Sequence, residues 1–242
     1  MPNPTAAILI IGDEILSGRT REGNAHYLAG QLVERGITCR EIRVVPDDND
    51  VIVAAVRELS AAHDHLFTSG GIGPTHDDIT ADAVAEAMGA KLDVREDAKA
   101  ILAAHYAARD AEFTSARLRM ARIPDGAVLI ENPVSAAPGF SLGNVHVMAG
   151  VPNIFQAMVE GLLPKLTGGA PMISRSLQVL RAESSVADDL RALAGRYPDL
   201  SIGSYPFVQE GRYGTNLVLR GTDPVQVDAG FAELKTAFPE GT

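Results

Sequence analysis

Ala6 to Ile11 is an unbroken run of six small and branched apolar residues ending at Gly12, and it limits what the chain can become. A strand that is apolar at every position, rather than at alternate ones, must be covered on both faces, as central strands of parallel sheets are. Ala25, Leu28, Ala29, Leu32 and Val33 then recur at helical spacing, and Gly36 supplies the stop. A second strand is expected over Ile37 to Val45. Pro46-Asp47-Asp48-Asn49-Asp50 offers capping side chains and first-turn negative charge for a helix whose apolar face is Ile52, Ala55, Val56 and Leu59. A third strand, His65 to Thr68, runs into Ser69-Gly70-Gly71-Ile72-Gly73-Pro74. This alternation predicts right-handed crossovers and a mainly parallel α/β sheet covered on both faces.

Beyond it, Glu96 to Ala121 reads as helix, and Ala127 to Ile130 and Val145 to Met148 read as two strands separated by Pro133, Pro138 and Gly139. Gly150-Val151-Pro152 opens another helix, with Pro152 in a first-turn position where its missing N–H costs nothing. The pattern places a first domain over residues 1–168. Thr167-Gly168-Gly169-Ala170-Pro171 reads as a linker to a small α+β domain over residues 172–242. There the expected order is strand (Ser174 to Arg181), helix (Ser184 to Ala194, with Val186, Leu190 and Leu193 on one face), strands Ser201 to Phe207 and Thr215 to Arg220, and helix Pro224 to Phe238. No chemical motif stands out in that second domain.

Charge and cysteine content exclude several classes. The 242 residues carry a formal net charge of -10, which argues against binding nucleic acid or an anionic membrane, since both need a basic footprint. Cys39 is the sole cysteine, so no intrachain disulfide or cysteine zinc site exists, and its apolar surroundings suggest a small buried hydrophobe. With no basic leader and no apolar stretch near membrane length, the expected location is cytoplasmic. The six histidines form no metal-ligand pattern, although His76, in the glycine loop, is placed to meet a ligand.

Thr68 to Thr80 is the most informative segment for chemistry. Three glycines between a strand and a helix let backbone N–H groups approach an anion, and phosphate is the natural ligand. A tight turn with an Asp cap is the plain alternative. No G-x-x-x-x-G-K-[ST] occurs, and Gly71-Ile72-Gly73 is followed by His76 where a dinucleotide fingerprint needs its third glycine. Asp13 and Glu14, Asp47 and Asp48, and Asp77 and Asp78 fall at the carboxyl ends of consecutive strands, the edge where open α/β sheets bind ligands. Each is a candidate helix cap taken singly, but the recurrence suggests a shared site. A carboxylate facing phosphate is repelled by about 4 kcal/mol at an effective dielectric near 20, and a bridging divalent cation such as Mg, Mn or Co is the simplest remedy. Arg117, Arg119 and Arg122 are read as surface residues, with charge compensation as the alternative. The loops Glu131 to Gly139 and Met148 to Pro152 have the look of site walls, with ordinary punctuation the plainer reading and the one kept.

Gly12-Asp13-Glu14-Ile15-Leu16-Ser17-Gly18 with Asn24, Val45-Pro46-Asp47-Asp48, Thr68 to Thr80, Asn132-Pro133 through Ala137-Pro138-Gly139, and Gly150-Val151-Pro152 together resemble the molybdopterin-binding (MoaB/Mog-like) domain family. The resemblance spans Ala6 to Leu166 and is nearest to the N-terminal part of CinA-like proteins, whose small second domain the tail resembles. It implies a three-layer α/β/α domain that forms homo-oligomers, dimers or trimers. It also implies a small-molecule nucleotide or pterin as partner, molybdopterin being one such ligand. In the Mog branch the aspartates matching Asp47 and Asp78 support metal-dependent adenylylation of molybdopterin. The CinA-like branch is credited with metal-dependent hydrolysis of ADP-ribose, and a similar domain is fused to eukaryotic FAD synthase. The expected site therefore has Asp47, Asp78 and Glu14 as catalytic groups and Asp47, Asp77 and Asp78 as metal ligands. Gly12, Asp13, Asn24, Ser69, Gly70, Gly71, Gly73, Pro74, Thr75, Asn132 and Ser135 are the expected ligand contacts. A noncatalytic binding module is the third expectation. His76 stands where Pro or Lys is expected before the paired aspartates, and Met148-Ala149 where Leu-Pro is common, which bears on ligand identity more than on fold. The chain stops before any CinA-type amidase domain, so deamidation is not carried over.

Overall fold

β1 (Thr5–Ile11) lies inside a six-stranded sheet in a computed structural model that describes residues 3–209 and 211–242. The first unit of the chain runs to Gly169. Its elements follow β1 as α1 (Asp13–Leu16), α2 (Asn24–Glu34), β2 (Thr38–Val45), α3 (Asn49–Ala62), β3 (His65–Ser69), α4 (Thr80–Met88), β4 (Leu92–Val94), α5 (Glu96–Ala107), α6 (Ser115–Leu118), β5 (Arg122–Pro124), β6 (Val128–Ile130), β7 (Gly139–Leu142), β8 (Val145–Met148) and α7 (Pro152–Leu162). The sheet order is β2-β1-β3-β8-β7-β6. β1 runs parallel to β2 and β3, and β3 to β8, while β7 runs antiparallel to both its neighbours, β8 and the edge strand β6.

The continuous apolar run of β1 is explained by two cores. Ala7, Leu9 and Ile11 pack with Ile52, Val56 and Leu59 of α3, Val84 of α4 and Leu102 of α5. Ala6, Ile8 and Ile10 pack with Leu28 and Leu32 of α2 and Phe155, Met158 and Val159 of α7. Helices thus cover both faces, giving the expected three layers.

Several expectations are corrected. Val33 is 45% exposed and lies off the buried face of α2. β2 is an edge strand, so Ile42 is half exposed and Cys39 is only partly buried, its thiol pKa raised by that burial. The helix read over Glu96 to Ala121 breaks after Ala107; Asp110 takes a positive φ of 51°, and the chain resumes helix only at Ser115. β7 escaped sequence reading because it is short and proline-flanked. Its first residue must be glycine, since a Cβ on Gly139 would sit 2.2 Å from the Val147 carbonyl oxygen. The small β4–β5 ladder was also missed.

The second unit begins at Ala170. It comprises β9 (Ile173–Val179), α8 (Ala187–Arg196), β10 (Ser201–Gln209), β11 (Arg212–Gly221) and α9 (Pro224–Ala237), with an antiparallel sheet ordered β10-β11-β9. Its core joins Leu177, Val186, Leu190, Leu193, Leu217, Leu219, Leu234 and Phe238. Asp223 caps α9 by accepting from the Val225 N–H at 2.9 Å. No helix among the described residues is long and apolar enough to cross a membrane.

One buried polar group sets a pH dependence. His146 on β8 is 3% exposed, with Nδ1 2.8 Å from Ser141 Oγ and Nε2 3.1 Å from His65 Nδ1. Burial, with His65 beside it, pushes its pKa down from 6.5 to about 3. The unfolded chain therefore takes the proton first, so this stability is fully present above about pH 6.5 and is lost as the pH falls toward 3. At about 1.4 kcal/mol per unit, roughly 2 kcal/mol is lost between pH 6.5 and 5. Urea midpoints at pH 7 and 5 should fall further for the native protein than for His146→Asn. Equal falls would mean that His146 is not the group responsible.

Candidate functional site

The carboxyl ends of β1, β2, β3 and β8 open onto one cavity of about 650 Å³. Ile11, Gly12 and Glu14 reach it from β1 and α1, and Asp47 from the end of β2. Gly70 to Pro74, Asp77 and Asp78 reach it from the β3–α4 loop, and Ala149 to Pro152 from the end of β8. Asn132, Ser135 and Ala137 complete one wall, with Tyr106 and Met120. Of the two readings of the loops Glu131 to Gly139 and Met148 to Pro152, the structure therefore favours cavity walls over punctuation.

The glycine loop is shaped by its neighbours. Gly70 has φ 109° and Gly71 φ 69°, and a Cβ on either would collide: with the Ile11 carbonyl oxygen at 2.2 Å, and with Thr80 Oγ1 at 2.1 Å. Thr80 is fully buried and ties the loop down, its hydroxyl donating to the Gly70 carbonyl at 2.9 Å and its N–H to the Gly71 carbonyl at 3.0 Å. The Gly70 N–H is itself spent on the Met148 carbonyl, so the expectation that it serves an anion is corrected. The N–H groups of Gly71 and Gly73 have no intramolecular partner among the described residues and are the donors that loop offers a ligand.

Four carboxylates line the cavity: Glu14, Asp47, Asp77 and Asp78. Asp48 rather than Asp47 caps α3, accepting from the Val51 N–H at 3.1 Å, and no side chain caps α4. Asp47 is thereby free of the capping role. Its Oδ2 accepts from the Asp13 N–H at 3.0 Å. Burial raises its carboxyl pKa above the usual range and the charges of Asp13, Glu14 and Asp77 add to the shift, against the Asp13 N–H. Asp78 accepts from both the N–H, at 2.8 Å, and the hydroxyl of Thr75. Two glycines cradle these acids: a Cβ on Gly12 would lie 2.6 Å from a Glu14 carboxylate oxygen, and one on Gly73 2.6 Å from Asp78 Oδ2.

No Lys, Arg or His among the described residues contributes to the lining. Arg122 is paired with Asp82, Arg117 lies over the Tyr106 ring at 4.1 Å, and Arg119 donates to the Asp78 carbonyl at 3.4 Å. His76 is exposed, with Nδ1 3.8 Å from Asp77 Oδ1, and is not among the lining residues. The carboxylates have no counter-charge among these lining residues, while Arg119 and Arg122 line a small adjoining pocket that shares Gly71, Ile72, Gly73, Asp78 and Met120. Hard oxygen donors without nitrogen or sulfur suit Mg or Mn. Among the described residues no three of His, Cys, Asp and Glu converge as a ready-made cage, so the expected trio Asp47, Asp77 and Asp78 shares a cavity without forming a closed site. That pattern fits a cation held by one or two carboxylates plus ligand oxygens.

Other expected contacts stand one step back. Asn24 is buried, its side-chain amide donating to Ser69 Oγ at 2.9 Å and to the Gly150 carbonyl at 2.7 Å, so Asn24 and Ser69 tie loops together behind the cavity. Asp13 and Thr75 act through Asp47 and Asp78. Asn132 lines the wall, but its Nδ2 serves Ser135 Oγ and the Ala137 carbonyl, and its Oδ1 takes the N–H groups of Val134 and Ser135. It builds its loop rather than reaching a ligand. Sequence reasoning missed Thr20, Tyr106, Met120 and Ile154 altogether.

Comparison with known proteins gives two family matches. Residues 7–168 match the model described as "Probable molybdopterin binding domain", and residues 171–242 match the FAD synthase middle domain. A protein from Pyrobaculum calidifontis is 38% identical over 212 residues, covering 84% of this chain and 81% of that one. One from Archaeoglobus fulgidus is 33% identical over 199 residues, covering 82% and 84%. Among solved structures, the protein CinA of unknown function from Thermoplasma acidophilum is 36% identical with a TM-score of 0.62, covering 66% of this chain and 98% of that one.

Proposed function

The chain belongs to the molybdopterin-binding domain family, and on that premise we propose that its first unit binds a nucleotide diphosphate of the ADP-ribose or FAD type with a divalent metal and hydrolyses it. The observation that carries this reading is the lining: four carboxylates, together with Gly71 and Gly73, whose N–H groups have no intramolecular partner among the described residues, and no Lys, Arg or His. An anionic ligand entering alone meets repulsion of about 4 kcal/mol for each close carboxylate. A divalent cation held by one or two of these carboxylates, Asp47 and Asp78 foremost, would reverse the sign of that interaction and supply Lewis-acid polarisation of the phosphate. The match of the second unit to a FAD synthase domain supports a nucleotide as ligand.

The chain's own groups supply the rest. Gly71 and Gly73 donate N–H groups to phosphate oxygens, and Thr75 holds the Asp78 carboxylate in place. Glu14, resting over Gly12 at the cavity wall, is placed to accept a proton from water as its oxygen bonds to phosphorus. The bridging P–O bond then breaks, and ADP-ribose gives AMP and ribose 5-phosphate.

Incubating the purified protein with ADP-ribose, FAD and ATP, with and without Mg²⁺, Mn²⁺ or Co²⁺, tests this directly. AMP release that requires metal supports hydrolysis. Intact diphosphates under every condition would refute it and favour the second reading, which the family match itself supports: binding or adenylylation of molybdopterin. Pterin fluorescence copurifying with the protein is the sign of that alternative.

Gly73→Ala separates the carboxylate from the fold. Its φ is not left-handed, so the backbone tolerates a methyl group, but the Cβ occupies the place of the Asp78 carboxylate. Mn²⁺ affinity, read by calorimetry, should fall about 10-fold, with the thermal midpoint within about 2 °C of the native value. Unchanged affinity would remove Asp78 from the metal site.

A further inference from the structure

One edge of the six-stranded sheet is open. Among the described residues β2 pairs only with β1, and the strand order ends at it. The Val45 carbonyl accepts from the Gly12 N–H at 3.1 Å, so Val45 turns its backbone groups toward β1. Alternate residues of a strand turn theirs to opposite sides, which sends those of Glu41 and Arg43 to β1 as well. The N–H and C=O groups of Ile42 and Val44 are left facing outward. β2 holds no proline to block that edge, and its bulge at Arg40 leaves Glu41 to Val45 straight.

Apolar surface lies uncovered on both faces beside the edge. On the α2 side Ile42 is half exposed. On the α3 side a groove of about 400 Å³ is lined by Arg43, Val45, Val51, Ala54, Ala55 and Glu58, with Val51 40% exposed. Arg43 is held there between two carboxylates, 2.7 Å from Glu41 and 2.7 Å from Glu58.

The order Glu41-Ile42-Arg43 is complementary to itself. When two copies of β2 meet antiparallel with Ile42 on the two-fold axis, position 41 of each lies opposite position 43 of the other. Each Glu41 then faces the partner's Arg43, and the outward groups of Ile42 pair with those of the partner's Ile42. Centring the pair on Glu41 or on Arg43 instead sets like charges face to face, which is destabilising. The charges therefore select one register out of those the backbone allows.

We infer that β2 is a homodimer interface: two copies join their β2 edges antiparallel about Ile42, and the sheet continues across the two-fold axis. The exposed Ile42 side chains meet at that axis on one face, and the two α3 grooves face each other across the seam on the other.

Sedimentation equilibrium of the full-length protein should show a dimer. Ile42→Lys sets a charge beside its own image on the axis and should weaken dimerisation about 10-fold or more. Glu41→Arg turns both cross-strand pairs into Arg against Arg, and Arg43→Glu turns both into Glu against Glu. Each of these variants alone should dimerise about 10-fold more weakly than the native protein. An equal mixture of the two should return to within about 3-fold of native affinity, because every position 41 again faces the opposite charge at position 43. Recovery in the mixture also shows that both variants are folded. A native protein that stays monomeric overturns the proposal, as does an oligomer that Ile42→Lys leaves unchanged. A mixture that associates no more tightly than its components overturns the pairing about Ile42.

Discussion

Asp47→Asn and Asp78→Asn should each lower metal-dependent AMP release by about 100-fold or more, with no loss of fold. The isosteric amide keeps the local hydrogen bonds. In Asp47→Asn the side-chain oxygen still accepts from the Asp13 N–H, and in Asp78→Asn it still accepts from Thr75. What disappears is charge. For Asp47 the sign on stability is informative. Burial and the neighbouring carboxylates raise its pKa, so the ionised form is less favourable in the folded chain than in the unfolded one near neutral pH. Its stabilising contribution belongs to the protonated form and is lost as the pH rises through the folded pKa. Asp47→Asn should therefore melt no lower than the native protein at pH 7 while losing activity. A variant that melts markedly lower would identify Asp47 as a structural carboxylate instead.

Gly70→Ala should have the largest effect on stability. The residue has φ 109°, a region open essentially to glycine, and its Cβ would lie 2.2 Å from the Ile11 carbonyl oxygen. That oxygen belongs to the central strand and cannot swing aside as a flexible side chain would. Gly70 is also hemmed in by Gly150, whose own Cβ would touch Gly70 Cα at 3.2 Å. Strain and displacement together should cost about 3–5 kcal/mol, read as a lowered urea midpoint. An unchanged midpoint would mean that the loop moves freely, and with it the placement of Gly71, Gly73 and Asp78.

Sequence reading reached the parts of this structure that local chemistry encodes. The apolar run Ala6 to Ile11 announced a doubly covered strand, and β1 divides its side chains between two helical layers. The acidic pairs after three strands announced a shared edge, and Glu14, Asp47, Asp77 and Asp78 do line one cavity. What stayed hidden depends on tertiary contacts. The break after Ala107 has no proline or glycine to mark it, so Tyr106 and Met120 were read as parts of one helix. Asn132 looks like a ligand contact in sequence, but its hydrogen-bonding groups are spent within its own loop. Of the glycines that looked like a phosphate cradle, Gly70 is required by the Ile11 carbonyl, and Gly73 leaves room for the Asp78 carboxylate. The choice of Asp48 over Asp47 as the α3 cap leaves Asp47 available to the cavity, and adjacent aspartates give no local sign of which will cap.

The central claim is that an acidic cavity accepts a phosphate ligand only through a cation. The most direct test is the affinity of the native protein for α,β-methylene-ADP, measured by calorimetry in Mn²⁺ and again in EDTA. With two or more uncompensated carboxylates facing the phosphates, affinity should fall at least about 30-fold when the metal is removed. Equal affinity in the two buffers would contradict the claim, and phosphate would then be held by the Gly71 and Gly73 N–H groups without a metal.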